Sequence, residues 1–164
     1  MRPVTFTSTA RIKTAKRLLM RGGIGSATLP VRVGLIVHPT HGPVLIDAGL
    51  GPRITTAPGR SLALRIYAGL LGPEVNIGKA PEDLLAAHGY GMSDVRLVLL
   101  THLHADHVGY LRDLPNASVV TDGQSGGLLR HGGFKELLPH DLPARQRNLR
   151  SSETVTLPSG LGEG

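Results

Sequence analysis

Residues 95–107, VRLVLLTHLHADH, join an apolar run directly to three histidines and an aspartate, and no other stretch narrows the fold as much. A six-residue run rich in Leu and Val, too short for a helix and fed from Asp94, reads as a strand buried on both faces over residues 94–102. The next segment, DHVGYLRDL (106–114), begins a short helix. The cluster of His102, His104, Asp106 and His107 therefore falls at the C-terminal end of a buried strand, where open α/β sheets present their chemistry.

Histidines two apart on an extended exit point to the same side, so His102 and His104 can approach one divalent ion at roughly 2.0–2.1 Å. As the chain turns into the helix, Asp106 and His107 can swing toward a second ion nearby. Two adjacent ions can share a hydroxide whose pKa is pulled near neutrality. Imidazole with carboxylate suits zinc first, with manganese, iron or cobalt as alternatives. The bland alternative is a helix-capping aspartate beside surface histidines, which leaves unexplained why all four fall within six residues.

The chain contains no cysteine, so disulfides, thiolate metal sites and thiol catalysis are excluded, and any ion must be held by imidazole and carboxylate. With 164 residues it is long enough for one domain and too short to expect two; we expect a single domain over residues 1–164. Two Phe, three Tyr and no Trp leave a core of Leu, Val, Ile and Ala and little with which to stack bases, which counts against nucleic acid as a partner. Residues 1–73 hold ten Lys or Arg against the single acid Asp47, whereas residues 74–164 hold eight against eleven. Such a basic half can attract anions, phosphates or a membrane surface, or be simply a solvated face. No apolar run approaches the ~20 residues of a membrane span. The basic residues of the first twenty sit where a signal peptide needs its apolar stretch, so the expected location is the cytoplasm, with no membrane partner.

Alternating, β-branched stretches predict strands over residues 4–14, 31–38 and 43–49, the last two joined by a PTHG turn. GRSLALRIYAGLLG (59–72) predicts a helix, with Leu62, Ile66 and Leu70 at four-residue steps. APEDLLAAHGYG (80–91) predicts another, opened by Pro81, favoured at its start by Glu82 and Asp83 and closed by a left-handed Gly89. NASVVT (116–121) reads as a strand, residues 122–138 as partly helical, and the tail as one further strand at most. Strands followed by β-α units predict an α/β layered domain with a mixed sheet.

THLHADH, preceded by VRLVLL and further upstream by VLIDAGL, resembles the metallo-β-lactamase superfamily of zinc hydrolases, and within it the lactonase-like branch that includes the N-acyl-homoserine lactonases. The resemblance spans roughly residues 4–157. It implies an αββα sandwich of which this chain supplies the N-terminal half and part of the second, the domain being C-terminally incomplete. It also implies one or two zinc ions, His102 and His104 on the first, Asp106 and His107 on the second, and Asp106 passing a proton to the leaving group. Asp47 matches the family's early aspartate, which supports the metal loop from behind; taken alone, it is equally a turn residue before Ala48-Gly49. His107 in place of an arginine departs from the β-lactamase subset, and His104 in place of a glutamate from the oxygen-reducing diiron relatives. Tyr110 stands where a second glycine is common, which blurs the substrate.

The implied activity is hydrolysis of a lactone, ester or thioester by a zinc-activated hydroxide, with a small-molecule substrate. The family draws further ligands from downstream, where this chain offers His131 and His140 outside the family's turns, as surface histidines by their Gly- and Pro-rich setting. Two alternatives stand beside it: a catalytically incomplete metal-binding relative or truncated product, and a nuclease-type relative acting on RNA or DNA. A half-sandwich leaves one sheet face uncovered, which a second copy of the chain can cover as a homodimer.

Overall fold

A computed structural model describes residues 3–18, 20–60, 62–76 and 79–121. The long strands β1 (Thr5–Ala15) and β2 (Ser26–His38) form an antiparallel hairpin, and β2 turns through residues 39–41 into β3 (Gly42–Ile46). A single helical turn α1 (Pro52–Thr55), α2 (Leu62–Leu71), the two-residue β4 (Glu74–Val75) and α3 (Pro81–Ala86) come next. They lead to β5 (Leu97–Leu99), α4 (Ala105–Val108) and β6 (Ser118–Val120). The sheet order is β4-β1-β2-β3-β5-β6, antiparallel from β4 to β3 and parallel from β3 through β5 to β6, which is the mixed α/β sheet the sequence predicts.

Strand alternation explains where the core sits. Val31, Val33 and Leu35 of β2, Leu45 of β3, Val98 of β5 and Val119 of β6 project to one face and are buried with Leu84, Leu85, Val108, Leu111 and Leu114 from the connecting segments. The opposite face carries Phe6 at 57% exposure, with Ile36, Ile46, Leu97 and Leu99 half-buried. Phe6 lies across Gly34, where a Cβ would meet its ring at 2.9 Å.

The structure corrects several of the sequence expectations. The strand expected over 94–102 and buried on both faces is three residues long, with only Val98 fully buried, because Leu97 and Leu99 point to the thinly covered face. β2 begins at Ser26 rather than 31, since pairing with β1 carries the alternation through Pro30 on its outer side. The helix expected over 106–114 is the single turn α4 followed by a 3-10 turn, Leu111–Asp113. In α2 the stripe Leu62, Ile66 and Leu70 is exposed (70%, 50% and 77%), while Leu64 is buried. For 80–91, helix α3 is shorter than expected but starts at Pro81, Asp83 accepts from the Ala80 N–H at 2.9 Å, and Gly89 is left-handed at φ 81°. The expectations for residues 122–138, the tail, His131 and His140 lie outside the described residues. No helix among the described residues is long and apolar enough to cross a membrane.

One buried polar residue ties the sheet to the loop after β3. The β1–β2 register shifts between Ser8 and Ala10, and the intervening Thr9 is fully buried, its hydroxyl accepting from the Leu50 N–H at 3.1 Å. Replacing it by valine keeps the shape and leaves that buried N–H unpaired. Thr9→Val is expected to cost about 1–3 kcal/mol, read as a lower urea midpoint at unchanged slope.

Candidate functional site

Parallel pairing of β3 with β5 brings Asp47 and Thr101, which lie just beyond those strands, side by side. Asp47 is the only described non-glycine residue with positive φ, at 60°. Such a backbone costs roughly 1–2 kcal/mol and is best tolerated by a short polar side chain. Its backbone is pinned by the Asp47 N–H donating to Leu99 O at 2.9 Å. Its carboxylate, 6% exposed, accepts from the Thr101 N–H (2.8 Å) and hydroxyl (3.0 and 2.9 Å) and from His107 Nδ1 (2.8 Å). Asp47 thus sits in a left-handed turn with its carboxylate facing the histidine cluster.

Thr101 has one hydroxyl proton, and the acceptor-only carboxylate takes it. The hydroxyl oxygen, 3.0 Å from His102 Nδ1, must then accept from that nitrogen, which leaves the Nε2 lone pair of His102 free. His104 is extended (φ −73°, ψ 153°) immediately before α4, and Leu103 between the two histidines is buried. The His102 and His104 rings meet edge-on at 4.6 Å, and the His102 and His107 rings lie 3.8 Å apart. The three imidazoles thus form one cluster rather than two separated pairs.

Asp106 completes it. Its Oδ1 accepts from the Tyr67 hydroxyl at 3.0 Å and its Oδ2 lies 3.2 Å from His107 Nε2. Burial pushes the carboxyls of Asp47 and Asp106 up, but hydrogen bonds from His107, joined by Thr101 for Asp47 and by Tyr67 for Asp106, more than offset it and hold both below their ordinary value. Burial lowers His107, yet the carboxylates on its two nitrogens raise it to about 9. His102 is lowered by burial and by the neighbouring imidazoles. Burial and the Asp106 charge raise the Tyr67 phenol, so it stays a donor.

The loop after β3 and the turn after α4 are laced together. Ala48 N–H donates to His107 O (2.7 Å), Gly109 N–H to Gly49 O (2.7 Å) and Tyr110 N–H to Ala48 O (3.3 Å). Tyr110 covers Gly51, where a Cβ would sit 2.8 Å from its ring. The sequence singled out His102, His104, Asp106, His107 and Asp47, and the fold brings all five together. Thr101 and Tyr67 went unassigned: Thr101 abuts the motif, whereas Tyr67 lies 39 residues away in a helix that reads as merely apolar.

Three imidazoles and two carboxylates are the right kinds of donor for a divalent ion, and the carboxylates of Asp47 and Asp106 face the two ring nitrogens of His107 at 2.8 and 3.2 Å. As they stand, no three such side chains among the described residues converge so as to hold an ion, and both His107 nitrogens are engaged by carboxylates.

This fold and cluster place the chain in the metallo-beta-lactamase superfamily, whose sequence profile matches residues 27–137. Members of that superfamily bind metal ions. The chain is similar to the probable metallo-hydrolase of Mycobacterium tuberculosis, with 31% identity over 105 residues, covering 63% of this chain and 33% of that protein. It is also similar to the N-acyl homoserine lactonase AttM of Rhizobium johnstonii, with 29% identity over 117 residues, 70% of this chain and 42% of the relative. It therefore spans less than half the length of these curated relatives. The Bacillus thuringiensis AiiA structure with N-decanoyl-L-homoserine bound at its active site superposes with a TM-score of 0.64 at 20% identity, over 84% of this chain and 56% of that one. The dizinc quorum-quenching lactonase AidC gives 0.52 at 16% identity, over 79% and 45%. At these identities the two structures speak for the fold alone.

Proposed function

We propose that the chain carries the metal-binding part of a hydrolase that opens a lactone, ester or thioester, with N-acyl homoserine lactones the first substrates to try. The observation that carries this reading is the contact of His102, His104, His107 and Asp106 beyond the C-terminal end of β5, in a chain of this superfamily with lactonases among its relatives. His102 and His104 would hold one ion and Asp106 and His107 a second, zinc first, with manganese, iron or cobalt as alternatives. When bound, a divalent ion supplies Lewis acidity at the carbonyl and lowers the pKa of nearby water. Asp106, ionised at neutral pH and held by Tyr67, starts as the base: it takes a proton from the attacking water and delivers it to the leaving oxygen. Thr101 and Asp47 set the tautomer and direction of His102 and His107.

The test is hydrolysis of N-acyl homoserine lactones, monitored by acid release, together with metal content per folded chain. Ring opening that requires zinc, is abolished by chelator and is restored by zinc is the expected result. Zinc held by the cluster with no hydrolysis of lactone, ester or thioester would overturn it. It would support the second reading, metal binding without turnover.

A further inference from the structure

The hairpin of β1 and β2 outruns the rest of the sheet. The last β2–β3 partners at the site end are Gly34 and Ile46, so residues 26–33 of β2 continue past β3, for roughly 26 Å, on the side where Asp47 emerges. β4 pairs with β1 only at Ala10 and Arg11. From Ile12 and Leu29 outward, β1 and β2 pair only with each other among the described residues. A Lys16 N–H to Gly25 O bond of 2.9 Å closes the ribbon at a glycine-rich tip, in which a Cβ on Gly23 would fall 2.7 Å from the Lys16 carbonyl.

This arm has an unusual surface. Arg11, Lys13, Lys16, Arg17 and Arg21 are all exposed, none of them in an ion pair among the described residues, and the chain has no acid at all before Asp47. At the tip, Met20 is 59% and Ile24 90% exposed, so two bare aliphatic side chains stand among the basic ones.

We propose that the β1–β2 arm docks on an anionic lipid surface. Met20 and Ile24 enter the interface, while Lys13, Lys16, Arg17 and Arg21 meet the headgroup phosphates. Charge selects among the occupants. A second copy presents the same acid-free arm, and like charges repel. Nucleic acid matches the charge, but the arm offers no aromatic side chain for a base and has no use for bare aliphatic side chains. A bilayer with anionic headgroups satisfies both halves of the surface. The expectation of no membrane partner rested on the missing span, which a peripheral contact does not need. Because the arm projects on the side where Asp47 emerges, docking turns the end of the sheet that bears Asp47 and the histidine cluster toward the interface.

The experiment is co-sedimentation of the 164-residue chain with vesicles of phosphatidylcholine alone and of phosphatidylcholine mixed with phosphatidylglycerol, at low and high salt. Binding is expected only to the mixed vesicles, falling as salt screens the charges. Lys16→Gln with Arg17→Gln is expected to lower partitioning about 25-fold, about fivefold per charge removed. Met20→Ser with Ile24→Ser is expected to lower it about tenfold or more at unchanged charge. Far-UV circular dichroism verifies that these exposed substitutions leave the fold intact. Equal binding to neutral vesicles, no binding, or binding indifferent to both double variants overturns the proposal. So does binding to an RNA oligonucleotide without vesicle binding, or a doubled mass in sedimentation that Met20→Ser with Ile24→Ser abolishes.

Discussion

Gly109→Ala is expected to destabilise the chain by about 2–3 kcal/mol, with a melting temperature lower by about 10 °C. The conformation of Gly109 is not the cause: at φ −59° and ψ −30° it is ordinary right-handed helix, open to any residue. The cause is what surrounds it. A Cβ there would lie 2.7 Å from Gly49 O, 2.7 Å from Gly51 N and 3.1 Å from Leu50 Cα, all backbone, so no side chain can swing aside. Relief requires the loop after β3 to part from the turn after α4, which breaks the 2.7 Å Gly109 N–H to Gly49 O bond and loosens the neighbouring Ala48 to His107 bond. Gly69 supplies the opposite sign. It sits inside α2 with nothing within 4 Å of a Cβ, so Gly69→Ala is expected to stabilise by about 1 kcal/mol through helix propensity. Thermal or urea unfolding of the two variants checks both. Equal effects of one sign would show that the close approach at Gly109 does not hold the loops together.

That contrast also marks how far the sequence could be read. Gly109 and Gly69 look alike in a string, because what distinguishes them is the loop 58–60 residues upstream of Gly109, brought against it only by β3–β5 pairing. The histidine cluster was legible because its members are local, and alternation along an extended exit is a local rule. Asp47 was legible as a turn residue; its carboxylate's aim depends on Thr101 and His107, 54 and 60 residues away. The α2 stripe shows a subtler limit. LALRIYAGLL is apolar nearly all round, so Leu62, Ile66 and Leu70 share a face, and Leu64 and Tyr67 define another. Periodicity finds both stripes and cannot rank them. The fold chose the second, burying Leu64 and aiming Tyr67 at Asp106. The two-residue β4 and the first residues of β2 were beyond reach for a related reason: neighbouring strands, not their own residues, hold them in the sheet.

The second large effect concerns Asp106. Under the proposed reaction, Asp106→Asn in zinc-saturated protein is expected to lower kcat for lactone opening by about 10²–10⁴-fold, since the amide can neither take the proton from water nor deliver it to the leaving oxygen. Asp106 is also proposed to hold an ion, so a fall in activity alone does not separate the two roles; the leaving group does. An alkoxide leaves badly unless protonated, whereas a thiol has a pKa of about 8.5 and leaves as the thiolate unaided. Proton delivery therefore predicts a much smaller loss on a thioester than on a lactone, whereas loss of the ion alone predicts equal losses. Thr101→Val is the companion variant. Thr101 is not itself a proposed ligand, yet the change removes the hydroxyl that orients His102 and binds Asp47, and is expected to cost about 10–100-fold on both substrates alike. Metal content measured in parallel fixes how much of each loss is missing ion. Equal losses of Asp106→Asn on lactone and thioester at full zinc content would remove proton delivery to the leaving oxygen from Asp106, and no loss on either substrate would remove its part in proton transfer altogether.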